Sequence, residues 1–169
     1  AATGAAGAAG ATGATGATAR IRIMFPMIAS IDEFSAARKR LLDIHNDLAG
    51  DAPPPPIGMM LELPAAAELL EEFAAAADFF AIGTNDYVQY MLAADRANER
   101  VADYYVAHHP AVTRSLARVI GFLAERDCDV SVCGEMAHDV RYVPFFVGAG
   151  VRKLSVDPNY LPVIQACIG

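Results

Sequence analysis

From Arg20 onward, short apolar runs alternate with stretches of helical periodicity. RIMFPMI (22–28) reads as a strand, and Ser30 followed by Glu33 is a capping-box pattern that opens a helix. That helix is expected to run to about Leu48 and to close at Gly50. DAPPPP (51–56) is a stiff linker, because proline donates no ladder hydrogen bond and cannot build a central strand. IGMMLEL (57–63) is the second strand; Pro64 suits a first helical turn, and AAAELLEEFAAAA (65–77) continues as one helix. DFFAIG (78–83) is the third strand, followed by the turn-like TND and a helical stretch from near Tyr87 to about Ala94. Pro110 opens another helix, whose apolar positions 112, 116, 119, 120 and 123 share one face. DVSVCG (129–134) is the fourth strand and VRYVPFFVGAG (140–150) is helix-like. KLSVD (153–157) reads as a fifth strand and YLPVIQACI (160–168) as a terminal helix.

Strands alternating with helices mean a parallel sheet with crossover connections. The runs are continuously apolar, as expected where both faces are buried. A doubly wound sheet and a (β/α) barrel both fit this α/β pattern. Five β/α units fall short of a closed barrel, which typically takes about 250 residues. Residues 1–19 use only Ala, Thr and Gly and offer nothing to anchor them to a core. They are compatible with a disordered arm, a weakly packing helix or extraneous sequence, and no function is read from them.

Charge narrows the classes of partner. Thirteen basic against twenty acidic residues give a formal charge of −7, which argues against a nucleic-acid partner. An acidic protein that binds an anion must gather local positive charge from arginines, helix amino termini or a metal ion. No apolar run reaches the roughly 18 residues of a membrane span, and no secretory signal is visible, so a cytoplasmic protein is expected. Cys128, Cys133 and Cys167 lack metal-binding spacing and fit free thiols.

Chemistry-bearing residues recur at strand ends. Glu62 closes the second strand, Asn85 and Asp86 follow the third, and Cys133 closes the fourth. In a parallel α/β architecture these ends face one side, where ligands bind. Taken singly, Glu62 reads equally well as a surface carboxylate, Asp86 more readily as an Asx-turn or helix cap, and Cys133 more readily as an inert buried thiol. Two carboxylates from different strands suit Mg²⁺ or Mn²⁺, which complete their shells with water and substrate oxygens. Arg96 is the charged complement for a phosphate or carboxylate, against the plainer reading of a solvated arginine near Asp95 or Glu99.

In order and spacing, GMMLELPAAAELL, DFFAIGTNDYVQYMLAADRANERVADYY, HHPAV and VSVCGEMAHD resemble the motifs of the phosphoenolpyruvate-utilising enzymes. ADRANERVAD and RIMFPMI lean toward enzyme I of the bacterial sugar phosphotransferase system, a phosphoenolpyruvate–protein phosphotransferase. The resemblance covers almost all of residues 20–169 and implies the carboxyl-terminal part of a (β/α)₈ TIM-barrel domain. It implies metal binding by Glu62 and Asp86, substrate contacts by Asn85 and Arg96, and proton donation to the enolate by Cys133. It also implies phosphoryl transfer from phosphoenolpyruvate to a histidine on a separate domain, release of pyruvate, a histidine-containing phosphocarrier partner and a homodimer.

Departures accompany the match. None of His45, His108, His109 and His138 sits in the phosphorylated-histidine motif, and the first three β/α units have no counterpart here. His138 stands where the family usually has glycine, and His108 and His109 read as loop or capping residues. The chain alone is therefore not expected to phosphorylate a partner. Three rival readings remain: a dimerisation or regulatory module, a domain of the pyruvate phosphate dikinase or phosphoenolpyruvate synthase type, and a metal-dependent aldolase or lyase that shares the enolate-binding carboxylates.

Overall fold

The computed structural model describes residues 21–50 and 52–169, so the expectation for residues 1–19 lies outside the described residues. Four strands, β1 (Ile23–Phe25), β2 (Ile57–Leu61), β3 (Phe80–Gly83) and β4 (Val130–Cys133), form one parallel sheet in the order 1-2-3-4. That order decides between the two architectures left open above. A doubly wound sheet reverses its winding direction, which places a later strand outside an earlier one. Here each strand is added beside its predecessor. Right-handed crossovers then put every helix on the same face, as in a (β/α) barrel.

The helices agree. α1 (Ile31–Ala49) contacts α3 (Leu70–Ala76), α3 contacts α5 (Pro110–Glu125), α5 contacts α7 (Val143–Ala149), and α7 contacts α8 (Leu161–Ile168). Under this outer layer, Ile57, Met59, Leu61, Phe80, Ile82 and Val132 point from the strands into the core with at most 1% exposure. Phe25, Phe34 and Phe73 form an edge-to-face aromatic series from β1 through α1 to α3. On α5, Val112, Leu116, Val119, Ile120 and Leu123 are all buried, the stripe the periodicity predicts. The capping box at Ser30 and the close of α1 at Gly50 are also present.

The opposite sheet face is less fully covered. Register pairs Met24 with Gly58, Met60 with Ala81 and Ser131, and Gly83 with Cys133, so these side chains share that face. Met24 is exposed, and Met60, Ser131 and Cys133 are only partly covered. The expectation that both faces are buried therefore holds only in part, because four strands do not close a barrel on themselves.

Four elements differ from the pattern reading. The single helix expected over 65–77 is split into α2 (Pro64–Ala67) and α3. Arg118 of α5 bonds the Ala67 carbonyl at 3.2 Å and the Glu68 carboxylate at 2.6 Å, which satisfies backbone freed by the break. The stretch after β3 turns helical earlier than expected, as α4 (Thr84–Leu92), and α6 (Glu135–His138) precedes α7. The fifth strand is reduced to one bridge between Val132 and Leu154, with hydrogen bonds from Val132 N to Lys153 O and from Ser155 N to Val132 O. Its outer side meets no further strand among the described residues, so no ladder propagates.

Candidate active site

Glu62 lies one residue past β2, on the partly open face, and is only 3% exposed. The surface-carboxylate reading is thereby excluded. Its Oε1 accepts a hydrogen bond from the Met27 amide at 2.8 Å. Met27 sits in the loop after β1 with φ 57°, a left-handed conformation unusual for a side chain of its size. That turn directs the amide at the carboxylate. The other lobe of Glu62 crosses Gly83, where a Cβ would lie 2.8 Å from Oε2 and 2.9 Å from the Met60 sulfur. The lack of a side chain at Gly83 is what leaves Glu62 room in the layer that Gly83 shares with Cys133.

Asp86 occupies the first turn of α4 and comes within hydrogen-bonding reach of Glu62. Burial raises the Glu62 carboxyl above its ordinary range; the Met27 amide opposes this, and the charge of Asp86 adds to it. Two acids pressed together where water is scarce form an environment that a divalent cation relieves, so the pair fits a hard metal ion. No group of three or more His, Cys, Asp or Glu side chains able to hold a metal occurs among the described residues. An ion held by Glu62 and Asp86 would therefore draw the rest of its shell from water and substrate oxygens.

Cys133 ends β4 with its thiol directed at the Ile82 carbonyl, 3.5 Å away. Burial, and then the charge of Glu62, push its pKa upward, so it is a protonated thiol at neutral pH. The end of β4 is fastened to the start of α4. The buried Thr84 hydroxyl donates to the Cys133 carbonyl at 2.8 Å, and the Glu135 amide donates to Asn85 Oδ1 at 2.8 Å. Gly134, at φ 93°, makes this closeness possible, since a Cβ there would stand 2.4 Å from the Thr84 hydroxyl oxygen. A backbone amide can only donate, so this contact fixes the orientation of the Asn85 side-chain amide and leaves its NH₂ group for other acceptors. Arg96, beyond α4, pairs with Glu135 at 3.1 Å.

All five expected residues thus gather around the carboxyl ends of β2, β3 and β4: Glu62, Asp86 and Cys133 at the centre, Asn85 and Arg96 linked through Glu135. Several neighbours escaped the pattern reading. Glu135 stood within the CGE motif without an assigned task. Tyr105 donates to the Asn85 carbonyl at 3.2 Å, and burial, followed by the charge of Glu135, pushes its phenol up to about 12. Met27 acts through its backbone, which carries no residue-type signal. Three of the four histidines have structural occupations: His109 caps α5 through Nδ1, His45 meets the Ala52 carbonyl, and His138 stacks on Tyr160. A cleft of about 930 Å³ opens at the other end of the sheet, against Arg22, Ile57, Asp78 and Asp129. It lies at the strand starts, away from the face where parallel sheets carry ligands.

A family described as PEP-utilising enzyme, PEP-binding domain, matches residues 9–169. The chain belongs to that family. Among curated relatives of this PEP-binding domain, the multiphosphoryl transfer protein of Xanthomonas campestris pv. campestris is 44% identical over 148 residues, which cover 88% of this chain and 17% of that protein. The phosphoenolpyruvate-protein phosphotransferase of Haloferax volcanii is 37% identical over 153 residues, covering 89% of this chain and 27% of that protein. The PEP-binding domain described here therefore spans about a quarter or less of these relatives. Among solved structures, a citrate lyase from Burkholderia xenovorans LB400 superposes with a TM-score of 0.64 at 19% identity, over 88% of this chain and 48% of that one. That likeness concerns the fold, which is of the (β/α)₈ TIM-barrel type. No helix among the described residues is long and apolar enough to cross a membrane.

Proposed function

We propose that this PEP-binding domain is the phosphoenolpyruvate- and Mg²⁺-binding part of a phosphoenolpyruvate–protein phosphotransferase. The observation that carries this reading is the buried Glu62 carboxylate, set against Asp86 and in the same sheet layer as the Cys133 thiol. Glu62 and Asp86 would hold Mg²⁺ or Mn²⁺, which supplies positive charge for the phosphate and the developing enolate oxygen. Arg96 and the free NH₂ of Asn85 orient the phosphoryl group, so the chain contributes position and electrostatics. Cys133 keeps its proton at neutral pH and delivers it to the methylene carbon of enolpyruvate, giving pyruvate. The phosphoryl group passes to a histidine outside the four described here and then to a histidine-containing phosphocarrier, the first step of phosphotransferase sugar transport. A homodimer in the cytoplasm is the setting this reading implies.

Calorimetric titration with phosphoenolpyruvate, with and without Mg²⁺, tests the reading. Metal-dependent heat is expected from the wild type, with a loss of at least about tenfold in affinity for Asp86→Ala. Equal heats for wild type and Asp86→Ala would leave only a structural module.

A further inference from the structure

Glu135 is a charged residue at the mouth to which no step above gives a role. It is the first residue of α6, directly after Gly134, and its carboxylate is 60% exposed. An exposed ion pair of this kind contributes little to folding. Its two contacts are nonetheless specific. The backbone amide holds Asn85 Oδ1 at 2.8 Å, and the side-chain carboxylate holds Arg96 Nη1 at 3.1 Å. Both proposed phosphate contacts, from different segments, are thus tied to one residue two positions beyond the proposed acid Cys133.

Arg96 needs such a tie. It lies outside α4, after a left-handed Ala93, in a run of turns, and its own backbone amide makes only a long 3.4 Å contact to Gln89. The Glu135 carboxylate engages one terminal nitrogen. Nε and Nη2 make no hydrogen bond among the described residues, so one edge of the guanidinium stays open to a bidentate oxyanion. The carboxylate therefore braces Arg96 from the side without filling the place of an anion.

We propose that Glu135 is a positioning residue for phosphate recognition, setting the guanidinium of Arg96 by its carboxylate and the amide of Asn85 by its backbone. This rests on the phosphoenolpyruvate reading and adds how the phosphate, as distinct from the enolate portion, is selected. Replacing the carboxylate should weaken only ligands that carry a phosphate.

The test is calorimetry on the full chain at saturating Mg²⁺ with two probes. One is phosphoenolpyruvate. The other is oxalate, a planar dianion that chelates a divalent ion and carries no phosphate. Glu135→Gln keeps the backbone amide and the side-chain size. It is expected to weaken phosphoenolpyruvate about five- to tenfold and to leave oxalate within about twofold. In an Arg96→Ala background the same change should cost nothing further, since coupled residues do not add. Equal losses for both probes would make Glu135 merely structural, and unchanged or tighter phosphoenolpyruvate binding would make it a competitor for Arg96; either overturns the proposal. Wild type that shows no Mg²⁺-dependent heat with either probe would remove the phosphoenolpyruvate reading itself, and this inference with it.

Discussion

The mouth is held together by residues that lack the chemistry it would perform. Gly83 has no side chain, yet Glu62 occupies the space a methyl group would take. Gly83→Ala should force the carboxylate away from Asp86, because the Met27 amide restrains its other oxygen. We expect at least about a tenfold loss of Mg²⁺ affinity in a metal titration, with an overpacking cost of roughly 1–3 kcal/mol in thermal unfolding. An alanine variant that binds Mg²⁺ like wild type would show that the placement of Glu62 against Asp86 does not govern metal binding. The candidate residues were legible at this scale because carboxylate, amide and thiol side chains stand out at the ends of apolar runs. Gly83, Met27 and Thr84 were not. A glycine in an apolar run looks like any small residue, and a backbone donor is the same in every residue type.

Strands and helices were legible where a single periodicity ruled, as on α5, whose five apolar positions are the five buried ones. The pattern misled where tertiary contacts intervened. Alanine-rich residues 65–77 have strong helical propensity, but the break between α2 and α3 is satisfied by Arg118, a residue some 50 positions away. At the strand starts, Asp129 binds Lys153 at 2.6 Å and Arg22 at 2.8 Å, joining β1, β4 and the 153–155 segment. The hydrogen bond from Lys153 is the largest influence and lowers the Asp129 pKa; burial opposes it, and the charge of Arg22 adds to the lowering. A depressed carboxylate contributes stability that is present above its unfolded value and lost as pH falls through the folded one. Asp129→Asn should therefore lower stability by about 1 kcal/mol at neutral pH, discounted for partial exposure. The difference between wild type and variant should begin to shrink below about pH 4 and disappear only beneath the depressed Asp129 pKa. Parallel melting curves for the two proteins across pH 3–7 would show that the pair contributes nothing.

Over the whole molecule, strand order is the property that pattern alone could not supply. Alternating strands and helices fit two windings, and only the 1-2-3-4 order distinguishes them. The resemblance to the phosphoenolpyruvate-utilising enzymes points to the barrel independently of strand order, since homologous motifs carry topology that periodicity does not. The open face has a consequence for association. Met24 and Met27 at the sheet, and Leu161, Val163 and Ile168 on α8, are apolar and exposed. β1 also presents an edge that pairs with no strand among the described residues. Sedimentation at increasing concentration should show self-association or precipitation, and a sharp monomer with cooperative melting would contradict this. The sheet also keeps its two ends apart: Arg22, Asp129 and Lys153 brace one rim, and Glu62, Asp86 and Cys133 furnish the other. Hardening substitutions can consequently be confined to the braced rim, which leaves the candidate site at the opposite rim untouched.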